Sequence, residues 1–396
     1  MIKFEFAKLF HTGIVLGSIV VLLIINIAIL RGMCFSSATT AVVLPDGTEL
    51  SGKEAVSYNQ SVAERYSGDF TDEKIARIVS DLANEYPKEY AEIVAEHRIY
   101  SLLPTTYQFA TMFIPPADYA EIMQDAKAKG TEIPSLTEYG LISMKDVGFS
   151  FIDKPLQYGF WDSWCWFITG YGGNTISIAI PALIVIIIAI STVFSNEYSL
   201  KTDALILTTK YGKNRQIAAK LLTCIIFVTL IFVGLFAMDC VAYGWQYGMD
   251  GWNTDIQANL GLVFYGALIP MSNLQLLFFA LLLTWLAGIF TAGLTAALSA
   301  VTKTPFSTLI IALAVFVLPA ILKQTFAERA VRDSLIVFPI NAVNTPEVIR
   351  MHIDVNSIFF GQPLAPLHWI MIASVVVLIL SSIVAYKAFK SHQVTG

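Results

Sequence analysis

One stretch of the sequence has the spacing of a phosphate-binding loop. Residues 47–54 read GTELSGKE and match the pattern G-x-x-x-x-G-K, in which backbone amides and the lysine bind a phosphate. That pattern needs Ser or Thr after the lysine as a magnesium ligand, and Glu54 stands there instead. The pair Asp46-Gly47 is typical of a tight turn between two strands. We therefore interpret 47–54 as part of a hairpin and not as a nucleotide site.

The other residue types used in catalysis form no matching pattern. The five histidines are scattered, and the chain contains no H-E-x-x-H pair, which is the usual helical zinc motif. The sequence therefore predicts that the chain is not an enzyme, with no catalytic residue, no metal site and no bound cofactor.

The composition is typical of a membrane protein. Hydrophobic residues make up 56% of the chain and charged residues 14%, whereas soluble domains carry about 25% charged residues. A run of about 20 apolar residues can cross the hydrocarbon core as a helix. The predicted fold class is membrane all-α, with six transmembrane helices and an inserted extracellular α+β domain. The six apolar runs are 14–30, 176–194, 217–238, 274–300, 306–322 and 369–388.

Basic residues in the connecting segments predict the orientation. The loop 196–220 holds five basic residues, and both termini are basic as well. The segment 34–172 has 20 acidic and 10 basic residues, and the segment 239–271 has three aspartates and no basic residue. Both termini are therefore predicted to be cytoplasmic and 34–172 to be extracellular.

These patterns give the domain boundaries. Residues 1–13 are predicted to form a cytoplasmic helix in the membrane interface, because their apolar residues share one helical face. Residues 14–33 form the first span, since Arg31 makes a poor signal-peptide cleavage site. The extracellular domain follows at 34–172. Residues 173–396 hold the other five spans and a cytoplasmic loop at 195–216.

Inside the extracellular segment, local signals predict individual elements. Thr71 is a helix N-cap before an apolar pattern at helical spacing, and Pro87 opens a second helix. A third helical pattern covers 117–129. Two interpretations of the cysteines stay open: a bridge between Cys34 and Cys165 would join the ends of the domain, and a reducing setting would leave all four thiols unpaired.

The span interiors contain few polar residues beyond Asn26. Ion-coupled carriers place ionisable groups at this depth, so the sequence disfavours a secondary carrier. The fourth span repeats small residues every fourth position, which allows two helices to pack closely, either within the chain or between two chains. This helix-pairing face comprises Gly288, Ala292, Ala296 and Ala300.

The loop NEYSLKTDALILTTKYGKNRQIAAK, residues 196–220, is basic and has an apolar helical face. We predict an amphipathic helix that begins at Glu197 and is broken by Gly212. A cytoplasmic loop that merely obeys the positive-inside rule would explain the charges but not the apolar face.

The order of residues in this loop resembles the signature of type-2 ATP-binding cassette exporter permeases, E-x-x-x-G-T-x-x-L-L-x-T-P-x-x-R-x-x-I-x-x-x-K. The spacing differs by a residue in places, and Leu200-Lys201 and Lys210 replace the family's Gly and Pro. The residues that follow the order are Glu197, Thr202, Leu205, Leu207, Thr209, Arg215, Ile217 and Lys220.

The resemblance implies a function and partners. The loop would be a coupling helix that docks on a cytoplasmic ATP-hydrolysing subunit, and the permease would pair with a second, identical or related permease in the bilayer of a bacterial cell membrane. No nucleic-acid partner is expected. The charge-poor spans favour export of a peptide, a lipid-linked molecule or an amphipathic compound. The ATPase-coupling residues would be Glu197, Lys201, Thr202, Leu205, Leu207, Arg215 and Lys220.

The main alternative is a membrane sensor or scaffold that transports nothing and reads an extracellular ligand through 34–172. An ATPase that co-purifies with the chain would favour transport, and its absence would favour sensing.

The predicted orientation can be tested by cysteine labelling in intact cells. In a background without the native cysteines, a membrane-impermeant thiol reagent should label Asp125→Cys from outside and should label Asp203→Cys only after the cells are opened. The reverse result would overturn the assignment of both faces.

Overall fold

The computed structural model describes residues 1–36, 40–96, 102–114, 128–129, 141–149, 155–173, 177–202, 214–262 and 264–391. In this part of the chain the structure is mostly helical, with little sheet. Six helical segments are long and apolar enough to cross a membrane, as the sequence predicts for a multi-pass membrane protein.

The helices, in chain order, are α1 (Ile2–His11), α2 (Gly13–Met33), α3 (Gly52–Arg65), α4 (Asp72–Glu85), α5 (Pro87–Glu96), α6 (Thr105–Ala110), α7 (Met144–Val147), α8 (Asp162–Gly172), α9 (Ala179–Ile190), α10 (Ser195–Ser199), α11 (Arg215–Tyr247), α12 (Asn273–Val301), α13 (Pro305–Thr325), α14 (Arg329–Ser334), α15 (Pro339–Ala342), α16 (Thr345–Arg350) and α17 (Ala365–Lys390). The candidate spans are α2, the segment Ala179–Ser199, α11, α12, α13 and α17. Short 3₁₀ turns cover Thr111–Phe113, Ile256–Ala258, Leu260–Leu262 and Leu335–Val337.

The chain divides into two compact units. The first unit comprises Met1–Leu30, Ile168–Cys240 and Phe278–Gly396, and it contains α1 and most of the apolar helices. The second unit comprises Arg31–Phe167 together with Val241–Leu277. The sequence pattern indicates only a connection between two spans at Val241–Leu277, but this segment belongs to the second unit.

Local signals in the second unit match the structure. Strand β1 (Val42–Val43) pairs antiparallel with β2 (Glu49–Leu50), and Gly47 lies between them with a φ of 88°. That left-handed conformation suits glycine, so 47–54 comprises the end of a hairpin turn, strand β2 and the start of α3. Thr71 caps α4 by accepting a hydrogen bond from the Lys74 amide at 3.3 Å. The helical pattern at 117–129 lies outside the described residues, apart from 128–129.

A second strand pair and an aromatic core hold the second unit together. Strand β3 (Gly68–Phe70) pairs antiparallel with β4 (Leu156–Tyr158). Phe70 is buried, and the centroid of its ring lies 5.1 Å from that of Tyr158 and 5.4 Å from that of Phe109. The sequence predicts an α+β domain here. Within the described residues, its β part consists of four strands of two or three residues each. The four cysteines, all of them described, form no disulfide.

In the first unit, the small residues of α12 are buried within the chain. A Cβ added to Gly288 would lie 2.6 Å from Val228 Cγ1 and 2.7 Å from a ring carbon of Phe232, so α11 packs directly on this glycine. The other members of the face are 3% exposed or less: Ala292, Ala296 and Ala300. The close packing that the sequence predicts occurs here between helices of one chain.

Substitution of Gly288 tests this contact. Gly288→Ala should destabilise the protein by about 1–3 kcal/mol, because the added methyl group overlaps α11. Gly17→Ala is the matched control, since no atom lies within 4 Å of a Cβ added there. Thermal unfolding in detergent should show a lower midpoint for Gly288→Ala alone. Equal midpoints for the two variants would mean that α11 does not pack on Gly288.

Candidate functional site

Four charged side chains meet where the loop 203–213 joins its two flanking helices. We call Glu5, Lys8, Glu197 and Lys220 the four-charge cluster. Lys220 is 1% exposed, and its Nζ lies 2.9 Å from Glu5 Oε2 and 2.7 Å from Glu197 Oε1. The same ammonium group donates to the Val193 carbonyl oxygen at 2.8 Å. Buried charges of this kind are tolerated only when they are paired.

Lys8 completes the four-charge cluster from the more exposed side. Its Nζ lies 3.2 Å from Glu5 Oε1 and 3.2 Å from Glu197 Oε1. Gln216 adds a hydrogen bond from Nε2 to Glu5 Oε1 at 3.3 Å. Two carboxylates and two ammonium groups alternate around the cluster, so its net charge is zero. The cluster connects α1, α10 and α11.

The electrostatics favour the charged forms of Glu5 and Lys8. Burial alone would raise the pKa of Glu5, but Lys220 and Lys8 outweigh it and lower that pKa from its usual 4.5. Burial would lower the pKa of Lys8, but Glu197 and Glu5 raise it from its usual 10.5. The stabilising contribution of Glu5 is therefore complete above pH 4.5 and is lost as the pH falls below its folded-state pKa. That of Lys8 is complete below pH 10.5 and is lost as the pH rises further.

A cavity of about 430 Å³ adjoins the four-charge cluster and is lined by residues of α1, α10 and α11, all four charged residues among them. Glu197 Oε2 is buried and has no hydrogen-bond partner within the described part of the chain. The four-charge cluster is thus a set of ion pairs that borders a cavity next to the loop.

Further contacts hold both ends of the loop. Before it, the Ser195 amide donates to Ser299 Oγ at 3.0 Å, and the Tyr198 hydroxyl donates to the Ala300 carbonyl oxygen at 2.9 Å. After it, the Tyr386 hydroxyl donates to Asn214 Oδ1 at 2.6 Å. The chain on either side of 203–213 is therefore tied to α12 and α17.

The structure brings only some of the predicted coupling residues together. Glu197 and Lys220 form a direct buried ion pair. Arg215 is exposed at the start of α11, and the Thr202 amide donates to the Glu197 carbonyl oxygen at 3.0 Å. The remaining predicted residues of the loop interior lie outside the described residues: Leu205, Leu207 and Thr209.

The predicted start of the amphipathic helix is wrong. Glu197 belongs to α10, which ends at Ser199, and Lys201 has a φ of 56°. A residue in this left-handed conformation cannot continue a right-handed helix. Glu197 therefore belongs to the anchored end of the preceding span, and Lys201 is an exposed turn residue.

The third span is longer than predicted, and the added part contains a buried carboxyl group. The sequence pattern ends the third span at Met238, but α11 continues to Tyr247 and includes Asp239. Asp239 is 3% exposed and accepts a hydrogen bond from Asn26 Nδ2 at 2.8 Å. The apolar and aromatic residues after Asp239 are the sequence signal that could have extended the span.

Comparison with known proteins adds no assignment: the chain matches no protein-family model, no curated protein and no solved structure.

Removal of one lysine at a time tests the cluster. Lys220→Met leaves two buried carboxylates short of a partner and should destabilise the protein by about 3–5 kcal/mol. Lys8→Met removes a side chain that is 39% exposed, so the loss should be at most about 1 kcal/mol. Thermal unfolding midpoints in detergent measure both.

A second substitution separates charge from shape. Adding Glu5→Gln to Lys220→Met removes one unpaired carboxylate and should recover part of the lost stability. If the double variant is less stable than Lys220→Met alone, uncompensated charge is not the cause of the loss.

Proposed function

We propose that this chain is the membrane-spanning permease subunit of an ATP-driven exporter of the type-2 ATP-binding cassette class, and that a separate subunit hydrolyses the ATP. The observation that carries the proposal is the buried ion pair between Glu197 and Lys220, 2.7 Å apart. These are the first and last residues of the loop motif that resembles the family signature. Six helical segments able to cross a membrane support the same class.

The physical argument concerns the transmission of force. A loop with mobile ends would absorb any displacement imposed by a cytoplasmic ATPase. Here the residues on both sides of 203–213 are joined by the Glu197–Lys220 pair and are hydrogen-bonded to α12 and α17. A push on the loop would therefore move the segment Ala179–Ser199 and α11 as connected elements. Through Glu5, the same push would reach α1.

The remaining parts of the proposal follow from the resemblance and the charge distribution. The permease would act with a second permease, its termini in the cytoplasm and 34–172 outside the cell. A basic, amphipathic N-terminal helix suits the inner membrane interface, which supports a cytoplasmic position for α1. Because Asp239 is buried in a candidate span, the argument from a charge-free path no longer favours an amphipathic substrate over a cationic one.

The test is co-purification of the tagged chain with an ATP-binding subunit identified by mass spectrometry, followed by ATP turnover in liposomes. Leu205→Asp should prevent co-purification, because burial of a leucine side chain is worth about 1.5–3 kcal/mol and a charge cannot replace it. Lys201→Asn should have little effect, since an exposed charge contributes about 0–1 kcal/mol and asparagine tolerates the left-handed conformation.

Glu197→Gln distinguishes coupling from docking. Glu197 is 6% exposed, so its replacement should leave the ATPase bound but reduce ATP turnover that depends on the permease. If Leu205→Asp binds the ATPase as the wild type does, the loop is not the docking element. If the wild-type chain binds no ATPase, the sensor or scaffold alternative is preferred.

A further inference from the structure

Asn26 and Asp239 form a buried polar pair between two candidate spans, α2 and α11. Asn26 Nδ2 donates to Asp239 Oδ1 at 2.8 Å, and the two residues are 0% and 3% exposed. Asn26 Oδ1 is buried as well and has no hydrogen-bond partner in the described part of the chain. A buried amide oxygen without a donor is unfavourable, so this oxygen needs an explanation.

The position of Asn26 places the pair away from the helix ends. Met33 is the last residue of α2 and lies seven residues after Asn26, which corresponds to about 10 Å along the helix axis. Asp239 shares this depth because it contacts Asn26 directly. Ionisable groups at such depths are rare and usually functional.

No positively charged side chain among the described residues pairs with Asp239. Among the described residues, its hydrogen bond is with Asn26 and no ion pair includes it. On its own helix, Cys240 is adjacent. From α8, the Tyr171 phenol lies within electrostatic range of Asp239. The charged residue of α2 nearest to Asn26 is Arg31, five residues further on and exposed.

We propose that Asp239 and Asn26 form a proton-binding site within the membrane. An isolated carboxylate in an apolar environment is strongly disfavoured, and with one amide donor as its partner the group avoids the cost by holding a proton. A carboxylic acid can donate as well as accept a hydrogen bond, so the proton supplies the donor that Asn26 Oδ1 lacks. The neutral acid and the amide thereby satisfy each other.

The four-charge cluster shows the contrast within the same unit. Glu5 and Glu197 are buried as carboxylates because Lys220 supplies the counter-charge. Asp239 has no lysine or arginine partner in the described residues, so a proton takes that role. The proposal does not depend on transport or on an ATPase, and it holds equally for a sensor.

Infrared spectroscopy of the full-length protein in liposomes tests the proposal directly. The carbonyl stretch of a protonated carboxyl group should appear in the spectrum at neutral pH and be absent from that of Asp239→Asn. An exposed aspartate loses its proton near pH 3.9 and would give no such band at neutral pH. If the folded Asp239→Asn variant and the wild type give the same carboxyl band throughout the range from pH 4 to 7, the proposal is overturned.

A hydrophobic carbodiimide gives an independent measurement. It reacts with protonated carboxyl groups: the carboxyl oxygen bonds to the carbodiimide carbon, the proton moves to a nitrogen, and acyl migration leaves a stable N-acylurea. Peptide mapping should find this adduct on Asp239, decreasing as the pH rises. Mapping is needed because Asp162 is also buried, which raises its pKa to about 7. Asp333, ion-paired with Arg329 at 3.1 Å, is the unreactive comparison.

Asn26→Asp tests the contact itself. Two carboxyl groups within hydrogen-bond distance share one proton and hold it to higher pH. Both the infrared band and the adduct should therefore persist to higher pH in Asn26→Asp than in the wild type. If the pH dependence of both signals stays that of the wild type, the two side chains do not form one site.

Discussion

The burial of the Lys220 ammonium group is the constraint on which the first unit depends. An ammonium ion loses several kcal/mol of hydration when it leaves water, and only close partners offset that loss. Lys220 obtains them from Glu5 in the N-terminal helix and from Glu197 and the Val193 carbonyl group at the end of the preceding span. The N-terminal helix, the end of one span and the start of the next must therefore meet at one point.

The same requirement explains why the loop 203–213 has fixed ends. Polar groups near its ends have partners on other helices: the Ser195 amide donates to Ser299 Oγ, and Asn214 Oδ1 accepts from the Tyr386 hydroxyl. Ionic and hydrogen-bonding partners thus fix the described residues on both sides of 203–213 to neighbouring helices. Charge pairing here determines connectivity more than it adds stability, since a buried ion pair gains little over apolar packing.

Two buried carboxyl environments show two solutions to one problem. At the four-charge cluster, lysines neutralise the carboxylates. At Asp239 the partner is an amide, which leaves protonation as the means of neutralisation. The second arrangement would respond to any movement that admits water to the pair.

The sequence by itself determined the features that depend on neighbouring residues. Runs of apolar residues predict the six candidate spans, Asp46-Gly47 predicts the hairpin, and Thr71 predicts the cap of α4. These signals are local, because hydrophobic periodicity and capping act within a few residues. Only the tertiary structure decided that Lys220 meets Glu5, 215 residues away, and that Asp239 meets Asn26, 213 residues away. Such pairs form because a buried polar group needs a hydrogen-bonding or ionic partner, which folding can bring from any part of the chain. The spacing of residues along the chain therefore does not predict which two residues pair.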